Sequence, residues 1–154
     1  MTLFYSVLDA KSGTLQFTNA GHLRAILISN DGSVARLEND GALLGIFPDW
    51  SYDVSTVRLA TGDTMVLFTD GITEAEAPDG EEFGEDRLID SLVSIRHLSS
   101  DALQMRLLTQ VKKFSNRALA DDATLIVVSA NSFVTEPVEK TLGYKQLSYS
   151  GVTK

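Results

Sequence analysis

Two segments of the chain are apolar at every position: Met65-Val66-Leu67-Phe68 and Leu125-Ile126-Val127-Val128. A strand with one buried face alternates apolar and polar residues, so uninterrupted runs predict strands buried on both faces, within a layered fold. Each run carries carboxylates at one end. Asp70-Gly71 leaves the first, and Asp121-Asp122-Ala123-Thr124 leads into the second. If the two strands are antiparallel neighbours, the exit of one and the start of the other share a sheet edge, and Asp70 and Asp121 converge there.

The remaining segments supply the other layers. Short apolar stretches at 3–8, 15–18 and 25–28 are separated by Lys11-Ser12-Gly13 and followed by Asn30-Asp31-Gly32, which reads as antiparallel hairpins. Residues 38–51 mix Gly, Pro and apolar residues without a period and predict an ordered loop. Within it Phe47 and Trp50 flank Pro48-Asp49, and both rings are expected to pack beneath the loop rather than anchor a partner. A strand at 53–59 and a tight turn at Thr61-Gly62-Asp63 precede the first apolar run.

Two helices are predicted between the runs. At 85–97 the apolar set is Leu88, Ile89, Leu92, Val93 and Ile95; at 101–114 it is Leu103, Leu107, Leu108, Val111 and Phe114, with Ser99 or Ser100 as N-cap. Both are one-sided and should lie on a sheet. The last strand covers 123–129. Residues 1–130 thus form one domain, and 131–154, polar and without period, a tail or an added edge strand.

Composition narrows the chemistry. There are no cysteines, so disulfides, thiolate zinc sites and cysteine nucleophiles are excluded. Histidines are few, His22 and His97, while carboxylates are abundant, so any metal is a hard cation such as Mg2+ or Mn2+. The net charge of −8 offers no clustered basic surface for nucleic acid. No apolar run approaches the ~18 residues of a membrane span, and a cytoplasmic location is the default expectation.

Converging carboxylates repel unless a proton or cation bridges them, which makes Asp70 and Asp121 candidate metal ligands. The plain alternative stays open on spacing alone, because Asp-Gly after a strand is often only a turn. His97 closes a helix, where a cation is stabilising, and is not a site candidate. The acidic stretch from Glu74 to Asp86 lacks the ligand alternation of a calcium loop and reads mainly as solvated charge.

In order along the chain stand Thr18-Asn19-Ala20-Gly21-His22, Ala42-Leu43-Leu44-Gly45, Thr61-Gly62-Asp63 and Phe68-Thr69-Asp70-Gly71-Ile72-Thr73-Glu74-Ala75. Asp79-Gly80-Glu81-Glu82-Phe83-Gly84 and Asp121-Asp122-Ala123-Thr124 follow. Each motif alone is weak, but the ordered series, across residues 2–129, resembles the metal-dependent PPM protein phosphatases of the SpoIIE/RsbU branch. The resemblance implies an α+β fold: the PPM α/β/β/α layered sandwich of two antiparallel sheets with flanking helices, here the carboxyl-terminal portion, lacking the amino-terminal strands and helix.

The same resemblance implies two divalent ions, Mn2+ or Mg2+, at one end between the sheets, with Asp70 and Asp121 as metal ligands and catalytic residues. Asp122 and Glu74 stand beside them in supporting positions, and Gly71, Asn19 and His22 belong to the surrounding motifs, where His22 is expected to hydrogen-bond the chain. The implied reaction is hydrolysis of phosphoserine or phosphothreonine by metal-activated water. Its implied substrate is a phosphorylated bacterial signalling protein of the anti-sigma-factor-antagonist type.

Family members also carry upstream Gly-Asp-x-x-Asp and Asp-x-x-Gly-His-Gly motifs, which supply a metal-bridging aspartate and a backbone carbonyl. This chain begins after both, so weak or no activity is expected of it alone. Two further readings stay open: a catalytically incomplete domain acting as a binding module, and an assembly in which a second copy or a partner chain completes the sheet.

Overall fold

Side chains of alternating orientation on two neighbouring strands divide the interior into two cores, one on each side of a four-stranded sheet. The computed structural model describes residues 1–116 and 123–133. Strands β1 (Leu3–Asp9), β2 (Thr14–Ala20) and β5 (Ser55–Arg58) form a three-stranded sheet in the order β1-β2-β5. Strands β3 (Ile26–Ile28), β4 (Val34–Arg36), β6 (Thr64–Phe68) and β7 (Leu125–Ser129) form the second, in the order β4-β3-β6-β7. All strand pairs are antiparallel.

Ile26, Ile28, Val66 and Phe68 point to one face of the second sheet. There they meet Leu88, Leu92 and Ile95 of helix α2 (Glu85–Ile95) and Leu103, Leu107 and Val111 of helix α3 (Ser100–Ser115). Leu27 and Met65 point to the other face and pack against Leu15 and Phe17 of the first sheet. This two-sided burial accounts for the apolar run in β6. The layers are therefore sheet, sheet and helices, as the α+β sandwich reading requires.

The turns follow their local chemistry. Asp9 accepts hydrogen bonds from the Lys11 amide (3.0 Å) and the Ser12 hydroxyl (2.6 Å), and these contacts, the Ser12 bond foremost, hold its carboxyl below the ordinary range. Ser99 caps α3, its hydroxyl accepting from the Ala102 amide, and Asn116 ends that helix in the left-handed region at φ 51°.

Three expectations are corrected. The strand at 123–129 was expected to be buried on both faces, but Ile126 is 51% exposed. Among the described residues β7 pairs only with β6, and Ile126 shares with Leu3, Phe4 and Leu67 an open cavity of about 230 Å3. Phe47 and Trp50 do not pack beneath the loop; they are 57% and 47% exposed. A one-turn helix α1 (Asp70–Thr73), absent from the periodicity reading, follows β6, because Ile72 turns fully into the helix-side core. Of the expected tail, Phe133 packs on the inter-sheet core, and residues 134–154 lie outside the described residues.

The two apolar runs look equivalent in sequence but differ in burial, and stability measurements should separate them. Ile28→Ala, at a fully enclosed position, should lower the unfolding free energy by about 2–5 kcal/mol. Ile126→Ala should cost about 1 kcal/mol or less. Urea denaturation of the two variants checks this; equal losses would contradict the assigned layers.

Candidate functional site

The first apolar strand delivers Asp70 to a sheet edge at which the last strand begins. Phe68 pairs with Leu125, and the ladder is extended by two bonds beyond it: Thr69 N–H to Thr124 O (3.1 Å) and Thr124 N–H to Thr69 Oγ1 (2.8 Å). The antiparallel relation expected of the two strands is thus present, and it is locked one residue before Asp70. Thr69 and Thr124 were not singled out for this role in the sequence, although each is a hydroxyl residue at the carboxylate-bearing end of its strand.

Asp70 opens α1 and is exposed. Its Oδ1 accepts from the Gly71 amide at 3.0 Å, which fixes the carboxylate orientation. Gly71 therefore acts through its backbone. Asp70 lines a cavity of about 290 Å3 together with Thr2, Gly21, His22, Leu23 and Thr69. The structure thus brings together Asp70 and His22, which are far apart in the chain.

His22 is held there by Asn19, which is 1% exposed. Asn19 Nδ2 donates to His22 O (2.9 Å), and Asn19 Oδ1 accepts from the His22 amide (2.8 Å). The amide side chain satisfies both backbone groups of the turn, so Asn19 shapes the cavity wall without entering it. Both bonds engage the His22 backbone, and His22 also lines the neighbouring apolar cavity.

Glu74 is exposed at the end of α1, its amide bonded to Asp70 O at 2.7 Å, and it does not line the Asp70 cavity. Asp121 and Asp122 lie outside the described residues. Among the described residues no group of three His, Asp or Glu side chains is placed to hold a metal ion. Asp70 fits a hard cation by chemistry, as an oriented, solvent-facing carboxylate.

Two antiparallel sheets packed face to face, with an aspartate leaving an interior strand into a cavity at the sheet end, form the layered arrangement expected of a PPM-type domain. The chain belongs to the Stage II sporulation protein E (SpoIIE) family, whose profile matches residues 1–131.

It is 32% identical over 131 residues to the phosphoserine phosphatase RsbU of Bacillus subtilis, covering 83% of this chain and 38% of RsbU. It is 28% identical over 130 residues to protein IcfG of Synechocystis sp., covering 84% of this chain and 20% of IcfG. The chain spans well under half the length of either relative. Its fold matches a manganese-presoaked structure of the SpoIIE phosphatase domain from Bacillus subtilis with a TM-score of 0.65 at 18% identity, over 93% of this chain and 59% of that one.

The role of Asn19 is directly measurable. Asn19→Ala strands two backbone groups of a turn whose partner is buried, and should cost about 1–3 kcal/mol. The His22 amide resonance should move more than those of β3, and Asn19→Asp, which keeps the acceptor, should retain part of the stability. An unmoved His22 amide in Asn19→Ala would show that the turn does not depend on Asn19.

Proposed function

We propose that the chain carries the Asp70 and Asp121 side of a metal-dependent protein phosphatase site acting on phosphoserine or phosphothreonine of a bacterial signalling protein. The observation that carries this reading is the tie between Thr69 and Thr124. It holds the residue before Asp70 against the segment that follows Asp121. Asp121 precedes Thr124 by three residues in the sequence.

Mn2+ or Mg2+ suits these oxygen ligands, and two such ions fit the family site. When bound, such ions lower the pKa of water and stabilise charge on phosphoryl oxygens. The chain's own contribution is positional. Gly71 orients the Asp70 carboxylate, Asn19 sets the His22 turn opposite it, and Ile72 anchors the helix that Asp70 begins. Supporting roles for Asp122 and Glu74 follow by family analogy, Glu74 standing outside the Asp70 cavity. Support for the chemistry also comes from RsbU, a phosphoserine phosphatase, and for the metal from the manganese-presoaked SpoIIE relative. The substrate class, an anti-sigma-factor antagonist, follows by family analogy.

Calorimetric titration with manganese tests the site before any substrate is identified. The wild-type chain should show saturable binding, weakened at least about tenfold by Asp70→Ala and by Asp121→Ala. Any phosphate release from a phosphoserine peptide should be weak for this chain alone, require manganese and fall in both variants. Absence of manganese binding in the wild type would reject the metal site in this chain and leave a binding module as the surviving reading.

A further inference from the structure

The loop beside the site presents apolar side chains to solvent rather than to the core. Ile46, Phe47, Trp50 and Val54 are 55%, 57%, 47% and 64% exposed, and Leu43 and Leu23 extend the patch at 41% and 38%. Single exposed apolar residues are ordinary, but these follow one another along one loop, with the Phe47 and Trp50 rings 5.9 Å apart.

The loop is tied down at several points. Gly41 N–H donates to Asn19 O (3.0 Å), Leu44 N–H to Met1 O (2.9 Å), the Tyr52 hydroxyl to Ala42 O (2.9 Å) and Asn39 Nδ2 to Asp53 O (2.8 Å). A surface held in place loses less conformational entropy when it is covered. It also abuts the Asp70 cavity: a methyl group at Gly21 would lie 3.0 Å from Leu43 Cγ, and Gly21 and Leu23 line that cavity.

The charged side chains of the loop itself have one sign. Between residues 38 and 57 stand Glu38, Asp40, Asp49 and Asp53 and no lysine or arginine. Arg24 is paired with Asp40 at 2.6 Å, and this pairing holds the Asp40 carboxyl below its ordinary range; the Met1 ammonium donates to Leu44 O at 3.1 Å and so is also engaged by the chain. An apolar centre with an acidic rim complements an apolar patch bordered by lysine or arginine.

The geometry points to this loop as the docking surface for the phosphoprotein substrate, gripping apolar residues with a basic border that flank the phosphorylated position. The inference rests on the phosphatase reading for the partner's identity. It is separable from that reading by measurement.

Trp50 is the only tryptophan, so its emission reports on the patch alone. The probe is a synthetic phosphoserine peptide with Leu and Phe beside the phosphoserine and Lys at both ends. Saturable blue-shifting of Trp50 emission is expected, about tenfold weaker for a peptide with Leu and Phe replaced by Ser and little changed for the unphosphorylated peptide. By anisotropy of labelled peptide, Phe47→Ser should bind about tenfold more weakly, with an unaltered thermal melt because the ring is exposed.

Equal affinity for the Ser-substituted peptide, or wild-type binding by Phe47→Ser, would overturn the proposal. So would a Trp50 shift that follows protein concentration without peptide, which would assign the patch to a second copy. Manganese-dependent phosphate release without any Trp50 response would reject the docking surface and leave the phosphatase reading intact. A Trp50 response without such release would uphold the docking surface and reject that reading for this chain.

Discussion

Strand β6 packs on both faces, with Leu67 alone partly exposed, and is paired on both edges, and the positions of the other elements follow from that. Val66 and Phe68 serve the helix-side core while Met65 and Leu67 serve the inter-sheet core, with β3 on one edge and β7 on the other. A slip of one residue would exchange the two sets of side chains and misfit both cores at once, so the register is strongly specified. Because β6 cannot slide, Thr69 and Asp70 emerge at a fixed point. Ile72 then commits the next turn to the helix-side core, and the Thr69–Thr124 bonds bind the start of β7 to the same point.

The two ends of β6 show how one residue type serves opposite purposes. Asp63, just before the strand, is 6% exposed, and its carboxylate accepts from the Ala60 amide (2.8 Å) and the Asn30 amide (3.1 Å). Its backbone carbonyl accepts from the Ala130 amide (2.9 Å), so one residue joins the turn before β6 to the hairpin of β3 and β4 and to the end of β7. A buried carboxylate needs such partners, and with them it is a structural clamp. Asp70, just past the other end, has one oxygen on the Gly71 amide and is exposed. The first aspartate is saturated with donors from its own chain; the second has acceptor capacity left for a cation.

Periodicity made most of the layered fold legible. The turn signals between β1 and β2 marked their hairpin, while the apolar run of β6 and the one-sided pattern of α2 and α3 report which side of a strand or helix is covered, and coverage is what a hydrophobic pattern records. The position of Asp70 at a strand exit was legible for the same reason. What the pattern cannot record is whether a covering layer extends far enough. Ile126 and Val128 are equivalent in the pattern, yet Val128 packs on the inter-sheet core while Ile126 faces an open cavity. Loop residues have no period at all, so the exposure of Phe47 and Trp50 could be decided only by tertiary packing. The helix of Asp70–Thr73 is too short for any period to appear.

Asn19 connects these partly legible pieces. Its side chain grips both backbone groups of His22, and its carbonyl accepts from the Gly41 amide at the start of the exposed loop. Gly41 sits so close that a Cβ there would lie 2.5 Å from Asn19 O, which leaves glycine as the residue that permits the approach. One buried amide at the end of β2 therefore sets the wall of the Asp70 cavity and the root of the apolar loop together. A surface intended to hold a protein beside a reacting group must keep a constant distance from it, and a shared anchor achieves this with fewer flexible bonds than two independent loops would.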